Sequence, residues 1–177
     1  MAIVPRLSQI VVNAIGHDPT QGRLVADSLT ARCAVGRGGL AKRKREGDGA
    51  TPIGAHRLVA LLYRPDRVRR PVTALPIAPL KPNSGWCDDP GDHRYNRPIR
   101  LPYPGRHEKL WRKDNLYDLL VILDYNLDRP RPGAGSAIFL HLAAPDFAPT
   151  AGCIAVTETT MRRLLARSRP GTVISVA

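Results

Sequence analysis

YDLLVILDY (residues 117–125) and SAIFLHL (residues 136–142) are apolar almost throughout. A short apolar run with turn residues at its ends is typical of a strand that is buried in the middle of a sheet. Because the two runs follow each other closely along the chain, we expect them to be neighbouring strands. These two strands are the predicted centre of the fold.

Five further runs show β-branched or alternating apolar residues between turns of Gly, Pro and Asp. TETTMRRLLARS (157–168) instead predicts one helix, with Thr157 as its N-cap and Pro170 beyond its end. We therefore expect a mainly β fold in a single domain of residues 1–177, a sandwich or a barrel-like mixed sheet with long loops and one C-terminal helix. The five predicted strands are residues 9–15, 22–28, 30–36, 57–63 and 172–176.

Two long segments lie between the predicted strands. Residues 36–54, GRGGLAKRKREGDGATPIG, predict an exposed loop that ends in a shaped turn. Residues 64–105 carry nine prolines, which forbid regular structure over most of that segment. A loop of this length in a compact domain is more often a functional cover than filler, so we expect it to lie over a site.

The charge balance predicts an anionic partner. Lys and Arg outnumber Asp and Glu by 27 to 15, a net charge of +12, which suits nucleic acid, an acidic membrane or a cell-wall polymer. The apolar run that ends at Ala14 has Pro5 and Arg6 upstream and does not form the apolar core of a signal peptide, and no stretch is long enough to span a membrane. Either the chain acts where it is made, or a leader is missing from this sequence, or export follows another route.

The cysteines are too few and too scattered for a disulfide framework or a zinc site. Cys33, Cys87 and Cys153 form no CxxC spacing, so we predict no metal and no organic cofactor. Cys33 and Cys87 pair in an oxidising compartment or remain two partly buried thiols, and the second interpretation is favoured.

A histidine and a cysteine near the C-terminus suggest acyl-transfer chemistry. A cysteine thiol needs a base to become a nucleophile, and main-chain N–H groups are needed for the oxyanion that forms. His141 ends a predicted strand, and Cys153 follows Gly152 just before another apolar run, so a strand, loop and strand bring the two side chains together. Gly152 suits a tight turn with positive φ, in which Thr150 can form a hydrogen bond. On spacing alone, an inert buried cysteine and a structural histidine remain the favoured alternative.

The motifs around this pair resemble those of a known family. GSAIFLHLAAPDFAPTAGCIAV (135–156) is similar to the catalytic segment of the YkuD-type (ErfK/YbiS/YcfS/YnhG) L,D-transpeptidases, in which a histidine precedes a short motif that ends in Gly-Cys. EGDGATPIG (46–54) resembles the family's G-x-T-P-x-G turn. WCDDPGDHRYNRP, HEKLWRKDNLYD and LDYN are similar to a compact bacterial branch.

The resemblance implies a function. It implies that Cys153 forms a thioester with a peptidoglycan stem peptide, that His141 is its base, and that the amine of diaminopimelate on another stem accepts the acyl group. From the chemistry of the two groups, we expect His141 to take the thiol proton before substrate arrives. It also implies a place in the periplasm or cell envelope. The sequence departs from the usual motif at Leu142, Ala151 and Ala155, where the family often has a small residue, a histidine and an arginine.

Other residues are predicted to replace the missing substrate contacts. The long loop offers cations and aromatic rings that suit a peptide rich in carboxylates, and polar groups end a central strand at Asp124. For each of these alone, a solvated or capping role is the favoured alternative. The predicted substrate-binding residues are Thr150, Tyr125, Asn126, His107, Trp111, Arg112, Tyr95 and Arg97.

Three other functions were weighed. An L,D-carboxypeptidase or endopeptidase would hydrolyse the same thioester with water. A non-catalytic domain would keep the fold and bind cell wall only. A nucleic-acid-binding module is suggested by the run KRKR (42–45), but the aromatic residues do not interleave with basic ones and no helix-turn-helix or finger pattern occurs, so we predict no nucleic acid as partner. The sequence predicts no oligomeric state.

Overall fold

The apolar runs predicted as strands all form strands in the computed structural model, which describes residues 6–177. The first five residues of the N-terminal stretch lie outside the described part. The elements in chain order are β1 (Gln9–Ala14), β2 (Gln21–Ala26), β3 (Leu29–Ala34), β4 (Leu40–Ala41), β5 (Thr51–Pro52), β6 (Gly54–Tyr63), β7 (Ile77–Pro79), β8 (Ser84–Cys87), β9 (Arg97–Arg100), β10 (His107–Lys109), β11 (Leu119–Leu123), β12 (Phe139–Leu142), β13 (Ile154–Val156), α1 (Glu158–Leu165) and β14 (Val173–Val176).

Eight strands close into a mixed barrel. Their order is β11, β12, β13, β3, β2, β1, β14 and β6, and β6 pairs again with β11, while β7 adds to the outside edge of β6. The β1–β14 and β12–β13 pairs are parallel, and the other pairs of the ring are antiparallel. The prediction of a mainly β fold with a barrel-like mixed sheet is confirmed.

The two central strands are buried on both faces, which explains their continuous apolar sequence. Successive side chains of a strand point to opposite faces. On β11, Leu119 and Val121 pack in the large core with α1, while Leu120 and Ile122 pack in a second core with Trp86. The antiparallel pairing of β11 with β12 confirms that the two apolar runs are neighbours.

The predicted helix is present with its predicted cap. The side chain of Thr157 accepts a hydrogen bond from the amide of Thr160, which satisfies one of the free N–H groups of the first turn. Met161, Leu164 and Leu165 are buried in the large core. The helix therefore contributes apolar surface to the barrel.

The proline-rich segment forms more regular structure than the prolines suggested. Most of residues 64–105 is irregular, as predicted, but β8, β9 and β10 make a separate three-stranded sheet. Pro98 is tolerated because β9 is an edge strand of this sheet. Trp86 on the middle strand packs edge-to-face on Phe139 of the barrel at 5.2 Å, so the small sheet covers the outer face of the central strands.

The prediction of an exposed loop at residues 36–54 was wrong in part. Lys44, Ala50 and Thr51 are buried, and the parallel pair β4–β5 runs through the segment. Glycines permit this close packing: a Cβ atom at Gly36 would lie 2.1 Å from the carbonyl oxygen of Gly49. The segment is packed against the end of β13.

Candidate active site

Cys153 and His141 line one cavity. They come from the adjacent parallel strands β12 and β13, where His141 is opposite Ala155 and Cys153 immediately precedes β13. Both residues are 5% exposed, and the cavity has a volume of about 510 Å³. The strand, loop and strand of the sequence therefore bring the two side chains to the same space.

The sulfur atom of Cys153 is held between two main-chain groups. The amide of Phe139 donates to Sγ at 3.4 Å, and the thiol donates to the carbonyl oxygen of Ala137 at 3.2 Å. Ala137 has a φ of 53°, a conformation that is uncommon for residues other than glycine. The backbone before β12 thus fixes the direction of the thiol.

The imidazole of His141 is oriented so that one nitrogen is free to act as a base. Its Nδ1 atom lies 2.8 Å from the carbonyl oxygen of Leu142, which can only accept a hydrogen bond. Nδ1 therefore carries the hydrogen, and Nε2 keeps its lone pair. The ring packs edge-on against Tyr117, with the ring centres 5.2 Å apart.

Burial favours a neutral cysteine and a neutral histidine in the free protein. It lowers the pKa of His141 to about 4, because the imidazolium would lose its hydration. It also raises the pKa of Cys153 to about 12, and the negative charge of Glu108 acts in the same direction. These pKa shifts oppose the expectation that His141 generates a thiolate before substrate arrives.

The turn before Cys153 is fixed by the side chain of Thr150. Its hydroxyl donates to the carbonyl oxygen of Cys153 at 2.6 Å and accepts from the amide of Gly152 at 3.1 Å. The Gly152 amide is thus already occupied. The amide of Cys153, in contrast, donates to no acceptor within residues 6–177.

Gly152 is required by both its conformation and its surroundings. Its φ is 134°, and a Cβ atom at this position would lie 2.9 Å from the carbonyl oxygen of Ala50 and 3.4 Å from Nζ of Lys44. The turn therefore packs directly on residues 44–50. This segment leads into the second motif, G-x-T-P-x-G, and contains its first two residues, Gly49 and Ala50.

Lys44 is a buried cation that the sequence analysis missed. Its side chain is 3% exposed, and its Nζ donates to Asp48 at 2.6 Å and to the carbonyl oxygen of Arg45 at 3.3 Å. The aliphatic part of the Lys44 side chain passes beside Gly135, and its ammonium group lies beside Gly152. The positive charge opposes the rise in the pKa of Cys153. KRKR is therefore not a wholly solvated basic run.

Another part of the cavity lining comes from residues that precede β11. Tyr117 donates from its hydroxyl to Oε1 of Glu108 at 2.5 Å. The guanidinium of Arg112 lies over the Tyr117 ring at 5.0 Å and forms a two-pronged ion pair with Asp114. Burial raises the pKa of Glu108, because a carboxylate is disfavoured away from water.

Two of the eight predicted substrate-binding residues line the cavity, Thr150 and Arg112. Trp111 instead stacks on the guanidinium of Arg64 at 3.7 Å, and His107 binds the carbonyl oxygen of Gly105 in a different depression. Neither residue lines this cavity, so their contact with substrate stays a prediction. The Trp111 ring and the His107 imidazole thus make contacts within residues 64–111.

The other four predicted residues also have structural partners away from the cavity lining. Tyr95 donates to Glu46, Arg97 to the carbonyl oxygens of Leu127 and Asp128, and Tyr125 to that of Ala134. Asn126 closes its own loop through Gly135 and Arg131. Asp124 pairs with the side chain of Arg57. These side chains bind other parts of the chain, most often main-chain carbonyl groups. This agrees with the capping role that the sequence analysis favoured for each residue alone.

Several charged residues of the cavity were not predicted. Glu108 lies within HEKLWRKDNLYD and Lys44 lies next to the G-x-T-P-x-G turn, so nearness to the quoted motifs was the available signal. The charged lining residues that were missed are Arg37, Lys44, Glu46, Asp88, Arg106 and Glu108.

Cys33, Cys87 and Cys153 are all free and buried, so the predicted alternative of two buried thiols holds for Cys33 and Cys87. In residues 6–177, no cluster of three or more His, Cys, Asp or Glu side chains could hold a metal ion. No helix of the same residues is long and apolar enough to cross a membrane.

Cys153 and His141 thus line one cavity of a closed mixed barrel, and these are the two residue types that thiol acyl transfer requires. The family model of the YkuD L,D-transpeptidase catalytic domain matches residues 14–176, and the chain belongs to this family. No curated protein and no solved structure matches the chain.

Proposed function

We propose that this protein is a peptidoglycan L,D-transpeptidase in which Cys153 is the nucleophile and His141 its base. The observation that carries the proposal is the common cavity of the two side chains, with Nδ1 of His141 held by a carbonyl group and Nε2 left as an acceptor. The family match supplies the reaction class and the polymer.

The first half of the reaction forms a thioester. Because burial keeps both groups neutral, Nε2 of His141 takes the thiol proton as the sulfur attacks the peptide carbonyl. His141 then gives this proton to the leaving amine as the C–N bond breaks. The imidazolium exists only while negative charge is present beside it.

The oxyanion is stabilised from the turn that precedes β13. The amide of Cys153 has no acceptor among residues 6–177, whereas the amide of Gly152 is bound to Thr150. The buried ammonium of Lys44 lies behind Gly152 and adds a fixed positive charge. Pre-oriented donors of this kind favour the transition state because they need no reorganisation.

The stem peptide binds through its carboxylates. Ala151 and Ala155 supply no cation, but Arg37, Arg106 and Arg112 line the cavity from other segments. The amide of Arg37 donates to the carbonyl oxygen of Thr150 at 2.8 Å, so this arginine is anchored to the turn that carries Cys153. Arginine suits carboxylates because its planar fork can donate two parallel hydrogen bonds. The cell envelope is the proposed place of action.

The test is mass analysis of the protein and its products after incubation with defined disaccharide-peptides. We expect a thioester adduct on wild type and on Cys87→Ala, none on Cys153→Ala, and new cross-linked muropeptides only when the thioester forms. For His141→Gln, we expect thioester formation to fall at least about 100-fold.

Other outcomes would overturn the proposal. Shortened peptides without cross-links would assign an L,D-carboxypeptidase. Binding to the polymer without any adduct on Cys153 would assign a non-catalytic wall-binding domain.

A further inference from the structure

Glu108 stands out among the acidic residues of the cavity because one of its oxygens has no partner. Oε1 accepts from the hydroxyl of Tyr117, but within residues 6–177 no donor reaches Oε2 and no cation pairs with the carboxyl group. The residue lies on β10 and is half-buried. A carboxylate has room for further hydrogen bonds, so Oε2 is available to a ligand.

The other acids of the cavity are already occupied. Glu46 accepts from the hydroxyl groups of Tyr95 and Ser136, and Asp88 pairs with Arg106. The nearby cation Arg112 is held by both oxygens of Asp114. Arg112 therefore acts on Glu108 only at a distance, and no cation of residues 6–177 forms an ion pair with the Glu108 carboxyl group.

The negative charge of Glu108 acts on the sulfur atom of Cys153. Its negative charge is the second contribution, after burial, to the raised pKa of Cys153. Such a charge disfavours a thiolate and does not assist the first half of the reaction. A role in the second half, when a cation enters the cavity, agrees better with its sign.

The second half of the reaction requires two proton transfers. An amine enters as an ammonium ion, and it must lose one proton before its lone pair can attack the thioester. As the new C–N bond forms and the C–S bond breaks, a second proton leaves the nitrogen and reaches the departing sulfur. His141 can carry the second proton, but the first needs another base.

We propose that Glu108 binds the ammonium group of the incoming acceptor and accepts its first proton through Oε2. This inference rests on the proposed function and defines an acceptor subsite opposite the turn that carries Cys153. Tyr117 is a positioning residue that holds Oε1. Nε2 of His141 takes the second proton and returns it to the sulfur, and Glu108 then releases its own proton to water.

The raised pKa of Glu108 agrees with this use. Burial is its largest cause, and it makes the carboxylate a stronger base than an exposed glutamate. An entering ammonium would also restore the missing opposite charge.

The test separates thioester formation from its aminolysis in Glu108→Gln. Thioester formation from a donor stem peptide is followed by mass, and the isolated thioester is then mixed with an acceptor stem peptide or with hydroxylamine, which is mainly uncharged at neutral pH. We expect thioester formation within about threefold of wild type and a loss of about 100-fold with the ammonium acceptor. Hydroxylamine should react within about threefold of wild type, because no first proton has to be removed.

Two variants complete the design. Glu158→Gln makes the same change at an exposed ion pair on α1 and should leave every step unchanged. Tyr117→Phe removes one hydrogen bond to Glu108 and should slow aminolysis about fivefold. Melting curves establish that each variant is folded.

The outcomes are distinguishable. Equal losses with the ammonium acceptor and with hydroxylamine, or no loss with either, would overturn the role of Glu108 while leaving the transpeptidase intact. Failure of wild type to form any thioester would instead overturn the proposed function.

Discussion

The two walls of the candidate catalytic cavity are held in place by different kinds of interaction. The turn wall, residues 150–153 with the packed segment 36–54, is fixed by hydrogen bonds to its main chain, which come from main-chain amides and from the Thr51 and Thr150 hydroxyls, and by close approaches at glycine. The covering wall, residues 106–117, is fixed by side chains, through the Tyr117–Glu108 hydrogen bond and the Arg112–Asp114 ion pair. A nucleophile needs a fixed position, and main-chain contacts provide it.

The difference also concerns charge. The turn wall places the buried ammonium of Lys44 behind Gly152, and the covering wall presents the carboxyl group of Glu108. The two groups change the pKa of Cys153 in opposite directions. The first is suited to a developing oxyanion and the second to a cation that enters later.

The largest expected effect is on the turn wall. Gly152→Ala should lower the free energy of unfolding by about 4 kcal/mol, because it adds strain at positive φ to a contact at 2.9 Å with the Ala50 carbonyl. Gly133→Ala, at a φ of 77° with nothing within 4 Å, should cost only about 1 kcal/mol. Urea denaturation measures both, and equal losses would show that the turn is not packed on residues 44–50.

The second prediction concerns pH. Burial lowers the pKa of His141 to about 4. Between about pH 6.5 and pH 4, His141 is therefore protonated in the unfolded chain but neutral in the folded protein. Stability should therefore fall as the pH drops through this window, by about 3 kcal/mol in total.

The measurement is the difference in unfolding free energy between wild type and His141→Gln as a function of pH. This difference isolates His141 from the carboxyl groups, whose own contributions are present in both proteins. A difference that stays constant from pH 7 to pH 4 would contradict a buried, neutral imidazole.

The third prediction tests the cation of the turn wall. Lys44→Met should slow the alkylation of Cys153 about tenfold at a fixed pH, because it removes a positive charge that lowers the pKa of Cys153 and so leaves less thiolate. Lys42→Met, an exposed change in the same KRKR run, should have no effect. Unchanged alkylation in Lys44→Met would place the ammonium too far from the sulfur to act on it.

The smallest expected effect is the opposite change on the covering wall. Glu108→Gln should speed the alkylation of Cys153 about threefold, since it removes a negative charge that disfavours the thiolate. Cys33 serves as an internal control in both experiments, because burial alone raises its pKa to about 12. A parallel change at Cys33 would reveal loosened packing instead of an electrostatic effect.

The strands and the helix could be predicted because their signals are local. β11 and β12 are short apolar runs between turns, and α1 begins at a capping threonine and ends before Pro170. His141 and Cys153 could be found from the sequence because they lie twelve residues apart, in a strand, the loop after it and the start of the next strand. The short strands β8 to β10 could not, because prolines and glycines hide a three-stranded sheet that depends on packing against Phe139.

The predicted substrate-binding residues that do not line the cavity show the same limit. Trp111, Tyr95 and Arg97 have side chains that suit a peptide ligand, and nothing in the sequence shows that Arg64, Glu46 and main-chain carbonyls already engage them. Composition gives the chemistry of a side chain but not its partner.

The sequence by itself determined a mainly β domain with one helix and a candidate nucleophile and base, because hydrophobic period, caps and motifs act over a few residues. Only the tertiary structure decided that Lys44 is buried behind the turn and that Glu108 opens into the same cavity. Those positions depend on contacts between distant segments, such as the hydrogen bond of Thr51 to Cys153 and that of Ser136 to Glu46. Long-range packing, unlike a local pattern, is fixed only when the whole barrel has closed.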